Sequence, residues 1–398
     1  MKNNNLKKYG ALIVSSALLL GTLTACGSKD SGSGSGSSDG NTIKIGLNLE
    51  LSGAVASYGS GISKGAELAI KEINDAGGID GKKIEAVKID NKSENSEATS
   101  AALKLATQEK VVAQIGSATS GNTVAAVQVA DQNKMPLISP SGTSQTVTVN
   151  DDGAVNEYAF RTCFIDPFQG KIAADFASND LKAKNVAIFA DSSSDYAKGL
   201  AEAFKKQIEA NGGKVVAEES YVAKDTDFKS TLTRLKSKNP DFIYVPGYYE
   251  EVGLIVKQAR SIDIDAPMMG GDGWDSPKIV ELAGAKSLDN TFFTNHYSAE
   301  DPDEKIQKFV KSFKEANDDK SPDAFNALGY DSVYWLKDAI ERAGSTKGED
   351  IQKALAETKD LSLVTGEISV DEEHNTIKSA TVLEFKDGKQ VFKTKVEP

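Results

Sequence analysis

Apolar and polar positions after residue 41 follow two spacings, one typical of strands and one typical of helices. Thr42 to Leu49 alternates polar and apolar residues, which predicts a strand. Apolar residues then recur three or four positions apart before Gly77-Gly78, which predicts a helix that ends there. The residues on its apolar face are Ile62, Ala66, Ala69, Ile70 and Ile73.

Strand and helix patterns continue to alternate to residue 270. Strands are predicted over 84–89, 111–115, 136–139, 185–190, 214–221, 241–245 and 267–270. Helices are predicted over 97–109, 122–132, 169–179, 197–210, 228–236 and 251–261. This order predicts parallel sheets with helices on both faces, and two such units in series predict an α/β protein with two lobes. From Asp303 the pattern is mostly helical, with a β-rich end over Gly366–Phe392.

Ligands of open parallel sheets bind beyond the carboxyl ends of the strands, so the loops there are the candidate sites. In the first unit two such loops are rich in Ser, Thr and Gly: GSATSG over Gly116–Gly121 and SPSGTS over Ser139–Ser144. In the second unit the candidate loops are Asp191–Tyr196, Pro246–Tyr249 and Gly270–Trp274. If the units face each other, these loops line one cleft.

The N-terminal segment differs from the rest. A basic start, an apolar stretch from Ala11 to Leu20 and the ending Leu23-Thr24-Ala25-Cys26 are typical of a secretory signal, and LTAC resembles a bacterial lipobox. We therefore expect residues 1–25 to be a lipoprotein signal peptide and Cys26 to carry lipid. Residues 26–41 are a Gly/Ser-rich tether. Such a chain is expected on the extracytoplasmic face of the cell membrane, as a lipoprotein of the Gram-positive type.

Charge and cysteine content exclude several kinds of partner. The chain has 46 Lys and Arg against 58 Asp and Glu, a net charge of −12, which argues against nucleic-acid binding. Cys163 is the only other cysteine, so no intrachain disulfide is expected once Cys26 is lipidated. Two distant histidines and one free thiol lack metal-ligand spacing, and we expect no metal and no cofactor.

Hydroxyl-rich loops raise the alternatives of a serine nucleophile or a phosphate site. None of the strand-end loops carries a G-x-S-x-G pattern, and a serine hydrolase would need His296 or His374 in the cleft. The chain has no G-x-x-x-x-G-K-[ST] motif, and neither hydroxyl-rich loop contains Arg or Lys. A singly charged carboxylate fits better, because hydroxyls and loop N–H groups can bind it without a cation.

The second unit supplies complementary groups. Asp272, on a glycine-rich turn, can accept hydrogen bonds from an ammonium group. The candidate loops also hold aromatic faces that can cover an apolar side chain: Tyr58, Tyr196, Tyr248 and Trp274. Together these features indicate an α-amino acid as the ligand, with no catalytic step.

Two segments near the start of the folded region carry a resemblance to a known family. Ser52-Gly53-Ala54-Val55-Ala56-Ser57-Tyr58-Gly59 and Ile73-Asn74-Asp75-Ala76-Gly77-Gly78-Ile79-Asp80-Gly81-Lys82 resemble the opening of periplasmic leucine/isoleucine/valine-binding proteins. The similarity continues through Asp227-Phe228-Lys229-Ser230 and Tyr248 and covers the whole mature chain. It implies a type I periplasmic binding protein, a substrate-binding component of ABC importers that acts as a monomer.

The resemblance also implies a domain division. It predicts two Rossmann-like lobes joined by a hinge of three crossovers. The N-terminal lobe is expected at 42–161 plus 294–382, and the C-terminal lobe at 162–293 plus 383–398. The permease and ATPase would be separate chains.

The resemblance assigns the ligand contacts residue by residue. Ser120 and Thr143 match the hydroxyls that hold the carboxylate and ammonium groups, and Ser141 matches a main-chain contact. Tyr248 and Asp272 match contacts from the second lobe, with Asp272 in a position where the best-known members have Glu. The residues matching the walls of the side-chain pocket are Tyr58, Tyr196 and Tyr330. Trp274, two positions after the acid, is expected to resize that pocket.

The shorter Asp272 leaves the ligand open. Branched-chain amino acids are the first expectation. The alternatives are another amino acid, a small amide or carboxylate, a ligand-sensing lipoprotein with the same cleft, and the serine hydrolase.

Overall fold

The computed structural model describes residues 41–398. The predicted signal peptide, the Cys26 lipidation site and nearly all of the tether lie outside these residues. Among the helices of the described region, none is both long and apolar enough to cross a membrane.

The first sheet has five parallel strands in the order β2-β1-β3-β4-β5. Its strands are β1 (Thr42–Leu49), β2 (Lys83–Asp90), β3 (Gln114–Ile115), β4 (Leu137–Ser139) and β5 (Ala159–Arg161). The helices between them are α1 (Ala56–Asp75), α2 (Asn95–Lys104) and α3 (Ser120–Asn133). The predicted helix 97–109 is α2 continued by a π-helical turn, Leu105–Glu109, and the predicted strand 111–115 is shortened to β3.

The second sheet has seven strands in the order β15-β14-β10-β9-β8-β6-β7. Its parallel strands are β6 (Asn185–Asp191), β7 (Lys214–Tyr221), β8 (Phe242–Tyr244), β9 (Met268–Gly270) and β10 (Thr291–Asn295). The antiparallel edge consists of β14 (Ala380–Lys386) and β15 (Lys389–Val396). The associated helices are α4 (Asp166–Asn179), α5 (Asp195–Ala210), α6 (Lys229–Lys236), α7 (Tyr249–Ser261) and α8 (Pro277–Ala283).

The segment between β10 and β14 returns to the first sheet. It contains α9 (Glu304–Ala316), α10 (Ala324–Ala343), α11 (Gly348–Ala356) and a small antiparallel sheet. The strands of that sheet are β11 (Leu361–Leu363), β12 (Gly366–Val370) and β13 (Thr376–Ile377). The chain thus passes between the two large sheets three times, after β5, after β10 and before β14, which confirms the predicted fold class. The exact lobe boundaries stay a prediction.

Helix α10 packs closely on α1 because both helices have glycine at the contact. A Cβ on Gly65 would lie 1.8 Å from the backbone oxygen of Asn326, and one on Gly329 would lie 2.3 Å from that of Ile62. No side chain fits at either position, so the backbones approach directly. This packing holds the N-terminal turn of α10, with Phe325, beside that of α1, with Tyr58.

Candidate ligand-binding cleft

The two hydroxyl-rich loops leave neighbouring strands at the same edge of the first sheet. Ile115 pairs with Ile138, so the loops start side by side. The Ser141 hydroxyl donates to the Ala118 carbonyl at 2.7 Å, and the Ser144 N–H donates to Ser120 Oγ at 3.1 Å. The structure therefore brings Ser120, Ser141 and Thr143 together, as their strand-end positions predict.

Thr143 lies beside an acid that sequence reasoning missed, Asp166 in the first turn of α4. The Asp166 N–H donates to the Thr143 carbonyl at 3.0 Å. The Thr143 hydroxyl lies next to the Asp166 carboxyl, but without hydrogen-bond geometry, and both Thr143 Oγ1 and Asp166 Oδ2 are buried without a partner. Unpaired buried polar atoms are costly, so this pair indicates a place for a missing polar group.

The acid–base state of Asp166 supports the same conclusion. Burial raises its pKa from the ordinary value of 3.8 to about 8, and the negative charge of Asp272 contributes to the rise. The Gln169 amide bridges the two acids, since its Nε2 donates to Asp166 Oδ1 at 3.2 Å and to Asp272 Oδ1 at 3.1 Å. A cation placed here would offset both carboxylates.

Asp272 follows β9 and is held by three side chains. Its Oδ1 accepts from the Tyr196 hydroxyl at 2.9 Å and from Gln169, while its Oδ2 lies 3.1 Å from His296 Nε2. Gln169 is itself fixed, because its Oε1 accepts from the Thr294 hydroxyl at 2.7 Å. Asp272 is buried, and its orientation is determined by this network.

His296, the residue that follows β10, lies against Asp272. It stacks on Phe164 with ring centroids 3.9 Å apart, and burial lowers its pKa to about 4. The neutral ring donates from Nε2 to Asp272, and its Nδ1 has no partner.

A serine hydrolase would need a serine hydrogen-bonded to one of the two histidines. Neither His296 nor His374 hydrogen-bonds a serine within residues 41–398; His374 Nδ1 lies 3.2 Å from the Ala159 carbonyl. A G-x-S-x-G spacing does occur at Gly61–Gly65. It lies inside α1 rather than at a strand-to-helix turn, and Ser63 donates to Glu67.

An aromatic cluster spans the two halves of the molecule. Tyr196 and Tyr248 stack with ring centroids 5.2 Å apart, and Tyr58 meets Tyr248 edge-on at 5.8 Å. Phe325, which sequence reasoning missed, stacks on Tyr58 at 4.2 Å. Its signal in the sequence is the capping residue Asp323, which starts α10 two positions earlier.

Tyr330 and Trp274, two of the predicted pocket residues, do not join this cluster. Tyr330 is five residues beyond Phe325, about 140° further round the helix, and its hydroxyl donates to Glu72, near the C-terminal end of α1, at 2.6 Å. Trp274 is fully buried, and its Nε1 donates to the Val245 carbonyl at 3.0 Å. Its ring packs beneath the turn that carries Asp272.

The halves are in direct contact around the aromatic cluster. The Tyr58 hydroxyl donates to the Gly273 carbonyl and accepts from the Tyr249 N–H at 3.2 Å. The hydroxyls of Ser57 and Ser276 lie 2.8 Å apart. These bonds join α1 to the loops of the second sheet, so the cleft is closed.

Comparisons with known proteins agree with this architecture. A sequence profile of the family described as "Periplasmic binding protein" matches residues 42–390. The Leu/Ile/Val-binding protein BraC3 of Rhizobium johnstonii is 32% identical over 352 residues, which cover 88% of this chain and 93% of that protein.

Two solved structures are also similar over most of their length. The branched-chain amino acid transporter substrate-binding protein LivJ of Streptococcus pneumoniae, in complex with isoleucine, is 44% identical with a TM-score of 0.84, covering 90% of this chain and 100% of that one. The leucine-binding protein LivK of Thermotoga maritima is 35% identical with a TM-score of 0.83, covering 89% and 99%.

Proposed function

The chain belongs to the periplasmic binding protein family, and from this premise we propose that it captures leucine, isoleucine or valine for an ABC importer. The observation that carries the proposal is the closed cleft with its unpaired Thr143 hydroxyl and unpaired Asp166 carboxylate oxygen under an aromatic cover. A zwitterion with an apolar side chain matches each of these features. The names of the relatives, which include leucine- and isoleucine-binding proteins, support the same ligand class.

The carboxylate of the ligand is assigned to the first sheet. The hydroxyls of Ser120 and Thr143 and the main chain at Ser141 offer donors, and the N-terminal end of α3 adds its partial positive charge. Ser120 Oγ already accepts from the Ser144 N–H, which leaves its own hydrogen free to donate to a carboxylate oxygen.

The ammonium group is assigned to two acids rather than one. Asp272 has three partners of its own, while Asp166 Oδ2 has none. An ammonium group carries three donors and can bond Asp166 Oδ2, Asp272 and the Thr143 hydroxyl together. Asp166 in this way compensates for the shorter arm of Asp272.

The apolar side chain of the ligand is assigned to the aromatic cluster of Tyr58, Tyr196, Tyr248 and Phe325. Full burial of a leucine-sized side chain contributes about 1.5–3 kcal/mol. We leave Tyr330 and Trp274 out of the contact set, because the first bonds Glu72 and the second lies beneath the Asp272 turn.

The proposed cycle is hinge closure. Open lobes admit the ligand, the hydroxyl-rich loops bind its carboxylate, and closure brings Asp272 and Tyr248 onto it. The closed form then docks on a permease, which with its ATPase is supplied by other chains. Lipid on Cys26 and the tether would keep the protein at the extracytoplasmic membrane surface.

The test is to identify what the protein carries. The mature protein is purified from its native host without added ligand and denatured, and the released small molecules are identified by mass spectrometry. The proposal predicts leucine, isoleucine or valine in the released fraction. An aromatic acid or an amide as the sole ligand would contradict it.

A further inference from the structure

Glu50, which follows β1, is a buried acid outside the assigned contact set. Its Oε2 accepts from the Ala118 N–H at 2.9 Å. Its Oε1 accepts from the N–H and hydroxyl of Thr119, both at 3.0 Å, and from Asn122 Nδ2 at 2.9 Å. The side chain is fully buried, and both oxygens act only as acceptors, as expected of a carboxylate anion.

These bonds fix the loop that carries Ser120. Thr119 is the N-cap of α3 but makes no side-chain cap of its own. Glu50 instead accepts hydrogen bonds from Ala118 and Thr119, just before α3, and from Asn122 in the first turn of α3. The position of Ser120 therefore depends on the Glu50 carboxylate, which lies outside the loop that carries Ser120.

Arg161, the last residue of β5, plays the matching part for the other loop. It is fully buried, and its guanidinium donates to the carbonyls of Gly142 and Ser144 at 2.8 and 2.9 Å and to the Thr148 hydroxyl at 3.0 Å. Arg161 and Glu50 do not form an ion pair with each other. Each charge is thus used to hold a loop.

The charge of Glu50 also lies beside the cleft, because Glu50 Oε1 accepts from the N–H of Thr119, the residue immediately before Ser120, at 3.0 Å. Burial raises the pKa of the Tyr248 hydroxyl, and the negative charges of Asp166, Asp272 and Glu50 add to the rise. Glu50 and Asp272 therefore place negative charge near a tyrosine of the aromatic cluster, and Asp166 adds its charge above about pH 8. A ligand that brings only a carboxylate would meet this potential without compensation.

We propose that Glu50 positions the Ser120 loop and makes the cleft select ligands that carry a cation beside their carboxylate. The hydrogen bonds do the positioning, and the negative charge does the selecting. This inference rests on the proposed amino-acid function, and it assigns a residue that need not touch the ligand.

Two ligands that share the same carbon skeleton separate the positioning of the loop from the selection of the ligand. Leucine and 4-methylpentanoate differ by the ammonium group, and calorimetry of the ligand-stripped protein gives the ratio of their affinities. Glu50→Gln, which is isosteric and neutral, should reduce that ratio in favour of 4-methylpentanoate by about tenfold. Asn122→Ala keeps the charge but removes one bond to Glu50, so it should weaken both ligands alike, by about threefold.

Asp90→Asn is the matched control. Asp90 also holds a loop of the first sheet, since it accepts from the N–H groups of Leu51, Ser52 and Lys92. These bonds go to the segments at Leu51–Ser52 and Lys92 and not to the loop before α3, so both affinities should stay unchanged.

The outcomes are distinguishable. An unchanged ratio in Glu50→Gln overturns the selection, and unchanged affinities in Asn122→Ala overturn the positioning. If Glu50→Gln does not fold, the selection is tested with Glu50→Asp, which keeps the charge and should keep the ratio; a tenfold fall of the ratio there would overturn it. Failure of the wild-type protein to bind leucine, isoleucine and valine would instead reject the proposed function.

Discussion

The Tyr58 hydroxyl donates a hydrogen bond to the Gly273 carbonyl, 215 residues further along the chain. Gly273 is the neighbour of Asp272, and Tyr58 belongs to α1 beside the first sheet. This one bond therefore joins the aromatic cluster to the turn that carries Asp272, and it forms where the two halves meet in the closed cleft. If closure holds the ligand, the strength of this bond contributes to the rate at which ligand leaves.

Tyr58→Phe should weaken leucine binding by about tenfold, mainly through faster dissociation. The variant keeps the stack on Phe325 but leaves the Tyr249 N–H and the Gly273 carbonyl without the hydroxyl. Loss of buried hydrogen-bond partners costs about 1–3 kcal/mol, part of which the open form recovers in water. Stopped-flow fluorescence of the aromatic cluster measures the dissociation rate.

Tyr330→Phe is the control for that variant. Tyr330 also donates its hydroxyl to a hydrogen-bond partner, but that partner is Glu72, near the C-terminal end of α1 and away from the cleft. Its leucine affinity should equal that of the wild type. A loss as large as that of Tyr58→Phe would return Tyr330 to the pocket wall and contradict our placement.

Asp272→Ala should cost most of the affinity for amino acids, about a hundredfold. The substitution removes an acceptor for the ammonium group and also releases Tyr196 and His296, and bonds to charged groups are worth about 1.5–3 kcal/mol. Titration calorimetry with leucine measures the loss. Unchanged binding would remove Asp272 from the ammonium site.

Asp166→Asn should lower leucine affinity by about tenfold and yet stabilise the ligand-free protein above neutral pH. A carboxyl whose pKa is raised by folding, here from 3.8 to about 8, binds its proton more tightly in the folded state. The resulting loss of folding stability is absent below pH 3.8, grows as the pH rises from 3.8 to about 8, and is complete above about pH 8.

Thermal unfolding of ligand-free wild type and Asp166→Asn at several pH values tests this sign. The melting temperature of Asp166→Asn should rise relative to that of the wild type as the pH increases from 5 to about 8. Comparing the two proteins cancels the contribution of other buried acids such as Asp323, whose pKa burial also raises. A difference that is constant with pH would show that Asp166 does not titrate in this range.

Cys26→Ala should release the protein from the membrane without changing ligand affinity. Cys26 is the residue that the lipobox pattern designates for lipid, and the only other cysteine, Cys163, is buried. Immunoblots of membrane and medium fractions from cells expressing each form measure anchoring. Cys163→Ala serves as the control and should stay in the membrane fraction; release of both or of neither would contradict the assignment.

Much of the fold follows from the sequence because parallel strands separated by helices leave few topologies. Strands β6 and β7 match their predicted ranges to within one residue. The two loops that carry Ser120, Ser141 and Thr143 follow from the strand-end rule, since neighbouring parallel strands end at one edge of a sheet; the choice of these three residues within the loops came from the family resemblance. Asp272 follows by the same rule in the second unit.

Other parts of the site depend on information that local patterns lack. Choosing Phe325 over Tyr330 requires the phase of α10, which its close packing on α1 determines. Asp166 enters the proposed site because one of its oxygens lacks a partner, a property of the folded state alone. His296 reaches Asp272 because β10 lies beside β9 in the sheet, which the order of strands along the chain does not specify uniquely.

Titration calorimetry of the ligand-stripped mature protein tests the central claim most directly. Leucine, isoleucine and valine are injected separately, with 4-methylpentanoate as the ligand that lacks the ammonium group. We predict saturable heat at one site per chain for the branched-chain amino acids and much weaker binding of 4-methylpentanoate. Absence of binding heat for all three amino acids at several temperatures would contradict the assigned ligand.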